Sequence, residues 1–167
     1  MNTPLMILGI DPGLQRCGWG VIVSEGARLS YVAHGVIKPP VALSLAERLA
    51  ILLEELAAVV EAQRPHEAAV EETFVNSNAR AALALGQARG VTLASCARAS
   101  LPVAEYAPAT IKKALVGNGQ ADKTQVAFMV RRLLPTAGDV TADAADALAI
   151  ALCHAAHGGF KKRAGMK

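Results

Sequence analysis

Aromatic side chains are scarce in this chain: Phe, Trp and Tyr together make up 4% of its 167 residues. Hydrophobic residues still reach 53%, so a core exists but must be filled by Ala, Leu, Val and Ile, and an aromatic in a polar stretch stands out. Cysteine is scarce as well. Cys17, Cys96 and Cys153 are far apart and odd in number, which argues against a disulfide framework or a zinc ribbon and leaves buried free thiols. Long apolar runs are missing: the most apolar extended stretch, residues 43–63, is interrupted by Glu47, Arg48, Glu54, Glu55 and Glu61, so no segment reads as a membrane span. The opening MNTPLMILGID carries no basic leader and is not a signal peptide; a cytoplasmic protein is expected. Repeats and low-complexity linkers are absent too. The length suits one domain, expected over residues 1–158, with 159–167 as a basic, disordered tail.

The charge that is present is unevenly spread. Residues 1–72 hold nine acids and five bases, whereas residues 73–167 hold five acids and twelve bases. A basic half invites an anionic partner such as nucleic acid, and equally fits an ordinary solvated surface.

Hydrophobic periodicity orders the elements. LMILGID, GWGVIVS and RLSYVAHGVIK read as three strands joined by short Gly-containing turns, an antiparallel meander. Ser44 and Glu47 form a capping-box pattern ahead of Leu45, Leu49, Leu52, Leu56 and Val59 at helical spacing, and Arg64-Pro65 stops that helix. EAAVEE is a short strand, residues 77–98 a second helix, and LPVAEY another strand. Helices are expected over 108–116, after an Asp122 cap until Pro135, and from Thr141 through His157. A meander feeding β-α-β crossovers implies a mixed five-stranded α/β sheet with helices on both faces.

Two of the strands end in carboxylates, Asp11 and Glu71. Ligands of open α/β sheets bind beyond the carboxyl ends of strands, so both acids are expected at one edge. The last helix adds two more. From Ala142 to His157 its only formal charges are Asp143 and Asp146, three residues apart and therefore on one face of an otherwise apolar, buried helix. Helix capping by Thr141 and the helix dipole account for one acid in the first turn better than for two pointing the same way. Four clustered carboxylates repel one another and call for cations; oxygen-only ligands suit Mg²⁺, or Mn²⁺ in its place. A pair of such ions can clamp a phosphodiester. His154 and His157, near the end of that helix, read as complements to its dipole rather than ligands.

LGIDPG near the start, VEETF, LGQARG, VGNGQADKTQV and ADAADALAIA together resemble, in order, the RuvC family of Holliday-junction resolvases, over a span from about residue 7 to about residue 154. The resemblance implies a ribonuclease-H-like fold, a homodimer, and Mg²⁺-dependent nicking of two opposed strands of a four-way DNA junction, leaving 5′-phosphate and 3′-hydroxyl ends. It implies Asp11, Glu71, Asp143 and Asp146 as catalytic, metal-holding acids, with Glu72 off that register. It also implies DNA contacts for Phe74, Lys112 and Lys123, with Arg80 as a further phosphate contact, and the RuvA–RuvB branch-migration machinery as partner. Ala82, Gly86 and Gly90 form a small-residue stripe on the second helix; packing against the chain's own sheet would explain it, whereas the resemblance assigns it to the dimer interface. Cys17 departs from the family, where Thr is common, and puts one local hydrogen bond in question.

Three other functions compete with this one. An actin-like or sugar-kinase-like ATPase would use DPGLQRCG as a phosphate loop, but it needs two lobes. A non-catalytic junction-binding protein would not need four acids. A related ribonuclease or other structure-selective nuclease could use the same metal site.

Overall fold

The computed structural model describes residues 3–72 and 78–158. Strands β1 (Leu5–Asp11), β2 (Cys17–Glu25) and β3 (Arg28–Ile37) form the meander, and both of its pairings are antiparallel. Helix α1 (Leu45–Gln63) leads to β4 (Glu67–Glu71), and α2 (Ala79–Arg98) leads to β5 (Val103–Tyr106). Both later strands add in parallel, giving the sheet order β3-β2-β1-β4-β5. Helices α3 (Pro108–Val116), α4 (Lys123–Leu133) and α5 (Ala142–Ala156) follow, with a short 3-10 turn at Pro135–Ala137.

The local signals act where the sequence placed them. Ser44 and Glu47 make the full reciprocal capping box of α1, and Arg64 ends that helix in a left-handed conformation ahead of Pro65 (φ 49°). Asp122 caps α4 in a second reciprocal box with Gln125. One expected cap is corrected: Thr141 occupies the N-cap position of α5, but its side chain makes no capping hydrogen bond.

Each face of the sheet carries its own core. Leu8, Ile10, Val21, Ala68 and Val70 pack beneath α1 and α2 with Leu52, Leu56, Ala88 and Cys96. Ile7, Ile22, Ala69, Ala104 and Tyr106 pack beneath α3, α4 and α5 with Ile111, Val130, Leu148 and Ile150. Strand alternation decides the sides: Asp11 shares its face with Ile7, and Glu71 shares its face with Ala69. Both strand-end acids therefore turn toward α5. All three cysteines are buried. The Cys17 thiol is pushed up to about 12 by burial.

Among the described residues, no helix is long and apolar enough to cross a membrane.

Candidate active site

Helix α5 reaches the sheet because three glycines let it. A Cβ at Gly9 would overlap the Ala147 carbonyl oxygen and approach the Ala151 nitrogen at 2.7 Å. One at Gly18 would overlap the Asp143 carbonyl oxygen, and one at Gly20 would lie 2.6 Å from the Leu148 side chain. Gly9 pairs with Gly20 across β1 and β2, and Gly18 pairs with Asp11. The floor that carries the helix is thus continuous with the first acid. Its position sets the start of α5, with Asp143 in the first turn and Asp146 just after it, beside Asp11.

The acids act on one another electrostatically. The Asp11 carboxyl rises from 3.8 to about 7, first through burial, then through Glu71 and Asp146, with a smaller push from Asp143; Lys123 opposes the rise. Glu71 is raised by burial and by Asp146, against Lys123 and Lys112. Lys123 is raised in turn by its charge contact and hydrogen bond with Asp146. Asp11 thus feels the charge of all three other acids and of Lys123, and Glu71 that of Asp146, Lys123 and Lys112. Glu72 is not among the charges acting on Asp11, in keeping with its off-register position.

Two bases touch the acids directly. Lys123 Nζ lies 3.2 Å from Asp146 Oδ2, and an Arg16 guanidinium nitrogen 3.5 Å from Asp143 Oδ2. Both cationic side chains are largely exposed, so each contact contributes little to stability, about 0–1 kcal/mol. Each is also easily exchanged for another cation. Among the described residues, no group of three or more His, Cys, Asp or Glu side chains is arranged as a ready-made metal cage. The donor set nonetheless fits a hard divalent ion: its ligands are all oxygen, and burial first, then the neighbouring acids, hold the Asp11 carboxyl up at about 7.

Arg16 was not singled out in the sequence. The only signal for it was its place in the turn after Asp11. Lys112 is half-buried and acts on Glu71; its neighbour Lys113 is exposed. Arg80 is exposed in the first turn of α2. Phe74 and the rest of residues 73–77 lie outside the described residues, as does the tail 159–167. Gly86 and Gly90 are exposed, and a Cβ at either would meet nothing within 4 Å. Packing within the chain therefore does not explain these two glycines; Ala82 is half-buried. His154 is not a solvated complement to the helix dipole as expected: it is fully buried, with Glu67 and Tyr106 as partners.

A groove of about 1230 Å³ at the other end of the sheet, lined by Leu5, Leu29, Leu133 and Leu152 among others, holds none of the four acids.

The family model described as crossover junction endodeoxyribonuclease RuvC matches residues 7–154. A Hyphomonas neptunium protein named "Crossover junction endodeoxyribonuclease RuvC" is 58% identical over 157 residues, which is 94% of this chain and 94% of that one. A protein of the same name from Caulobacter sp. strain K31 is 58% identical over 92% of this chain and 91% of its own. Among solved structures, RuvC of T. thermophilus in complex with a Holliday junction substrate aligns with a TM-score of 0.87 at 34% identity, covering 94% of this chain and 96% of that one. The mixed sheet and its helices are the ribonuclease-H-like arrangement of those structures.

Proposed function

Because the chain belongs to the RuvC family of crossover junction endodeoxyribonucleases, it is a structure-selective endonuclease that resolves Holliday junctions, and we propose that Asp11, Glu71, Asp143 and Asp146 are the groups through which it cuts. The observation that carries this assignment is the elevation of Asp11 to about 7 by burial and by all three other acids. A buried carboxyl with three other acids acting on it calls for a counter-charge when it ionises.

The four acids would hold Mg²⁺ ions, with Mn²⁺ as substitute. Bound there, such ions supply positive charge to the phosphodiester and acidify the attacking water. The chain's own contribution is positioning. Asp11 and Glu71 are fixed at the ends of adjacent parallel strands, and Asp143 and Asp146 by the glycine floor under α5. Rigid elements hold such groups more tightly than loops do. Lys112 and Lys123 bring positive charge to the rim and are proposed phosphate contacts, with Arg80 farther out on α2. Phe74 follows the catalytic strand directly in sequence, and its proposed role is to stack on a base at the opened junction. In-line attack with a 3′ leaving oxygen gives the 5′-phosphate ends that a ligase can seal.

The exposed stripe of Gly86 and Gly90, with Ala82 beside it and Leu83 65% exposed, is proposed as the two-fold contact of a homodimer. A symmetric dimer presents two opposed sites to two opposed strands. The RuvA–RuvB branch-migration machinery is the proposed partner in the cell and the cytoplasm the proposed location. Residues 1–158 are proposed as the catalytic domain, with 159–167 as a basic tail outside it.

The test is Asp11→Asn. It is expected to bind a four-way junction as the unaltered protein does and to abolish Mg²⁺-dependent nicking, read on a mobile junction with linear duplex and ATP as controls. Normal nicking by this variant refutes the assignment.

A further inference from the structure

Three buried polar residues lie outside the acid cluster and take no part in the scheme above. Glu67, at the start of β4, is 6% exposed; Tyr106, at the end of β5, 3%; His154, in the last turn of α5, 0%. His154 Nε2 lies 2.7 Å from Glu67 Oε2, and His154 Nδ1 lies 2.8 Å from the Tyr106 hydroxyl oxygen. A carboxylate only accepts, so Nε2 donates to Glu67, and Nδ1 shares a hydrogen bond with the Tyr106 hydroxyl whose direction follows the state of the ring.

We propose that Glu67, His154 and Tyr106 are positioning residues for the nuclease: their hydrogen bonds set how far α5 slides along β4, and so hold Asp146 level with Glu71. The inference rests on the four-acid assignment and extends it.

The spacing supports this. Glu67 and Glu71 lie on the same face of β4, four residues apart, or about 13 Å along a strand. Asp146 and His154 are eight residues apart on α5, or about 12 Å along a helix. Asp143 is eleven residues from His154, about three turns, so those two side chains leave the helix on nearly the same side. Strand and helix run in opposite directions, since His154 meets Glu67 at one end while Asp146 acts on Glu71 at the other. Two rods of nearly equal reach, tied at the far end, bring their acids level at the near end. Tyr106 supplies a third point: its backbone pairs with Glu71 in the β4–β5 register, and its carbonyl accepts from the Glu72 N–H at 2.8 Å.

The contact beneath α5 explains why a tie is needed. The helix meets the floor through Ala147, Ala151 and bare backbone over Gly9 and Gly18. Such a surface has shallow ridges, and apolar contact has no direction of its own. The floor sets how closely the helix approaches the sheet, with Leu148 seated over Gly20, while apolar contact fixes its position along the axis less sharply than a directional bond does. Buried hydrogen bonds are directional, and breaking one without water to replace it is costly.

The decisive experiment replaces the network with apolar side chains of similar size in the full-length protein, Glu67→Met, Tyr106→Phe and His154→Leu together. Replacing a buried network of polar groups that bond to one another by apolar side chains of the same shape can leave stability nearly intact. The triple variant is expected to melt near the unaltered protein and to bind junction with unchanged KM. Its single-turnover nicking should slow about tenfold or more, the scale of a small misplacement of catalytic groups. Its affinity for Mn²⁺ without DNA should weaken as well. A triple variant that melts normally, nicks at the unaltered rate and binds Mn²⁺ equally well overturns the inference. If the triple variant fails to fold, single changes decide. Glu67→Gln keeps an acceptor for His154 and should nick near normally, while Glu67→Leu should be slow in kcat with KM unchanged; equal rates for the two overturn the inference. Asp146→Asn separates the two levels: if it nicks normally, the four-acid assignment itself fails, whereas loss of nicking there with no effect in the network variants removes the positioning role alone.

Discussion

Gly18 lies directly beneath the backbone of Asp143: a single methyl group on the glycine would overlap the aspartate's carbonyl oxygen. Because Gly18 also pairs with Asp11, one bare residue governs the approach of the first acid to the third. Gly18→Ala is expected to lift the start of α5 and to destabilise the protein by about 1–3 kcal/mol, the usual cost of overpacking. Junction nicking should fall further than that loss of stability explains. Thermal melting and nicking rate, measured on the same preparation, check both parts; a variant with normal melting and normal nicking contradicts the close approach.

A pH dependence follows from Asp11. Its folded carboxyl titrates near 7 rather than 3.8, so between those values the native state holds a proton that the unfolded chain has lost. Stability of the metal-free protein should therefore fall as pH rises from about 4 to about 7 and level off above. Glu71, raised for the same reasons, adds to the same slope. Asp11→Asn should flatten the profile and stabilise the metal-free protein at pH 8, as denaturant melts in EDTA will show.

Lys123 gives a different signature. It holds Asp146 at 3.2 Å and is otherwise exposed, so the same ammonium is available to a phosphate. Lys123→Ala should weaken junction binding and reduce the slope of log affinity against log salt by about one for each protomer in contact. An unchanged slope would leave Lys123 as a partner of Asp146 only.

Gly86 has no neighbour within 4 Å of where a side chain would begin, so the chain has room for one. Gly86→Gln should leave folding intact, or raise helix stability by up to about 1 kcal/mol. It should also push the protein toward monomer in sedimentation experiments and uncouple the paired nicks. A Gly86→Gln protein that stays dimeric and cuts symmetrically would place the two-fold contact elsewhere.

What could be read from the sequence was what depends on near neighbours. Ser44 with Glu47 and Asp122 with Gln125 are three residues apart, and each pair specifies a helix start whatever the rest of the chain does. Asp11 and Glu71 were visible because a short apolar run ending in a charge marks a strand leaving the core. What was hidden depends on distant partners. His154 finds Glu67 eighty-seven residues away, and nothing near His154 in sequence distinguishes that from a histidine at a helix end. Gly9, Gly18 and Gly20 look like ordinary strand glycines until α5 lies across them. Thr141 shows the opposite failure: it has the right residue type in the right place, but its side chain makes no capping bond.

The order of elements has a consequence during synthesis. On the proposed assignment, the ribosome releases Asp11 and Glu71 early, but the acids that complete the set ride on α5, the last helix of the described chain. A chain halted anywhere before that helix contains the strands and much of the sheet yet lacks half of the cutting groups. Nuclease activity would thus be withheld until α5 has been made and has settled on its glycine bed, so that any shorter product lacks the means to cut.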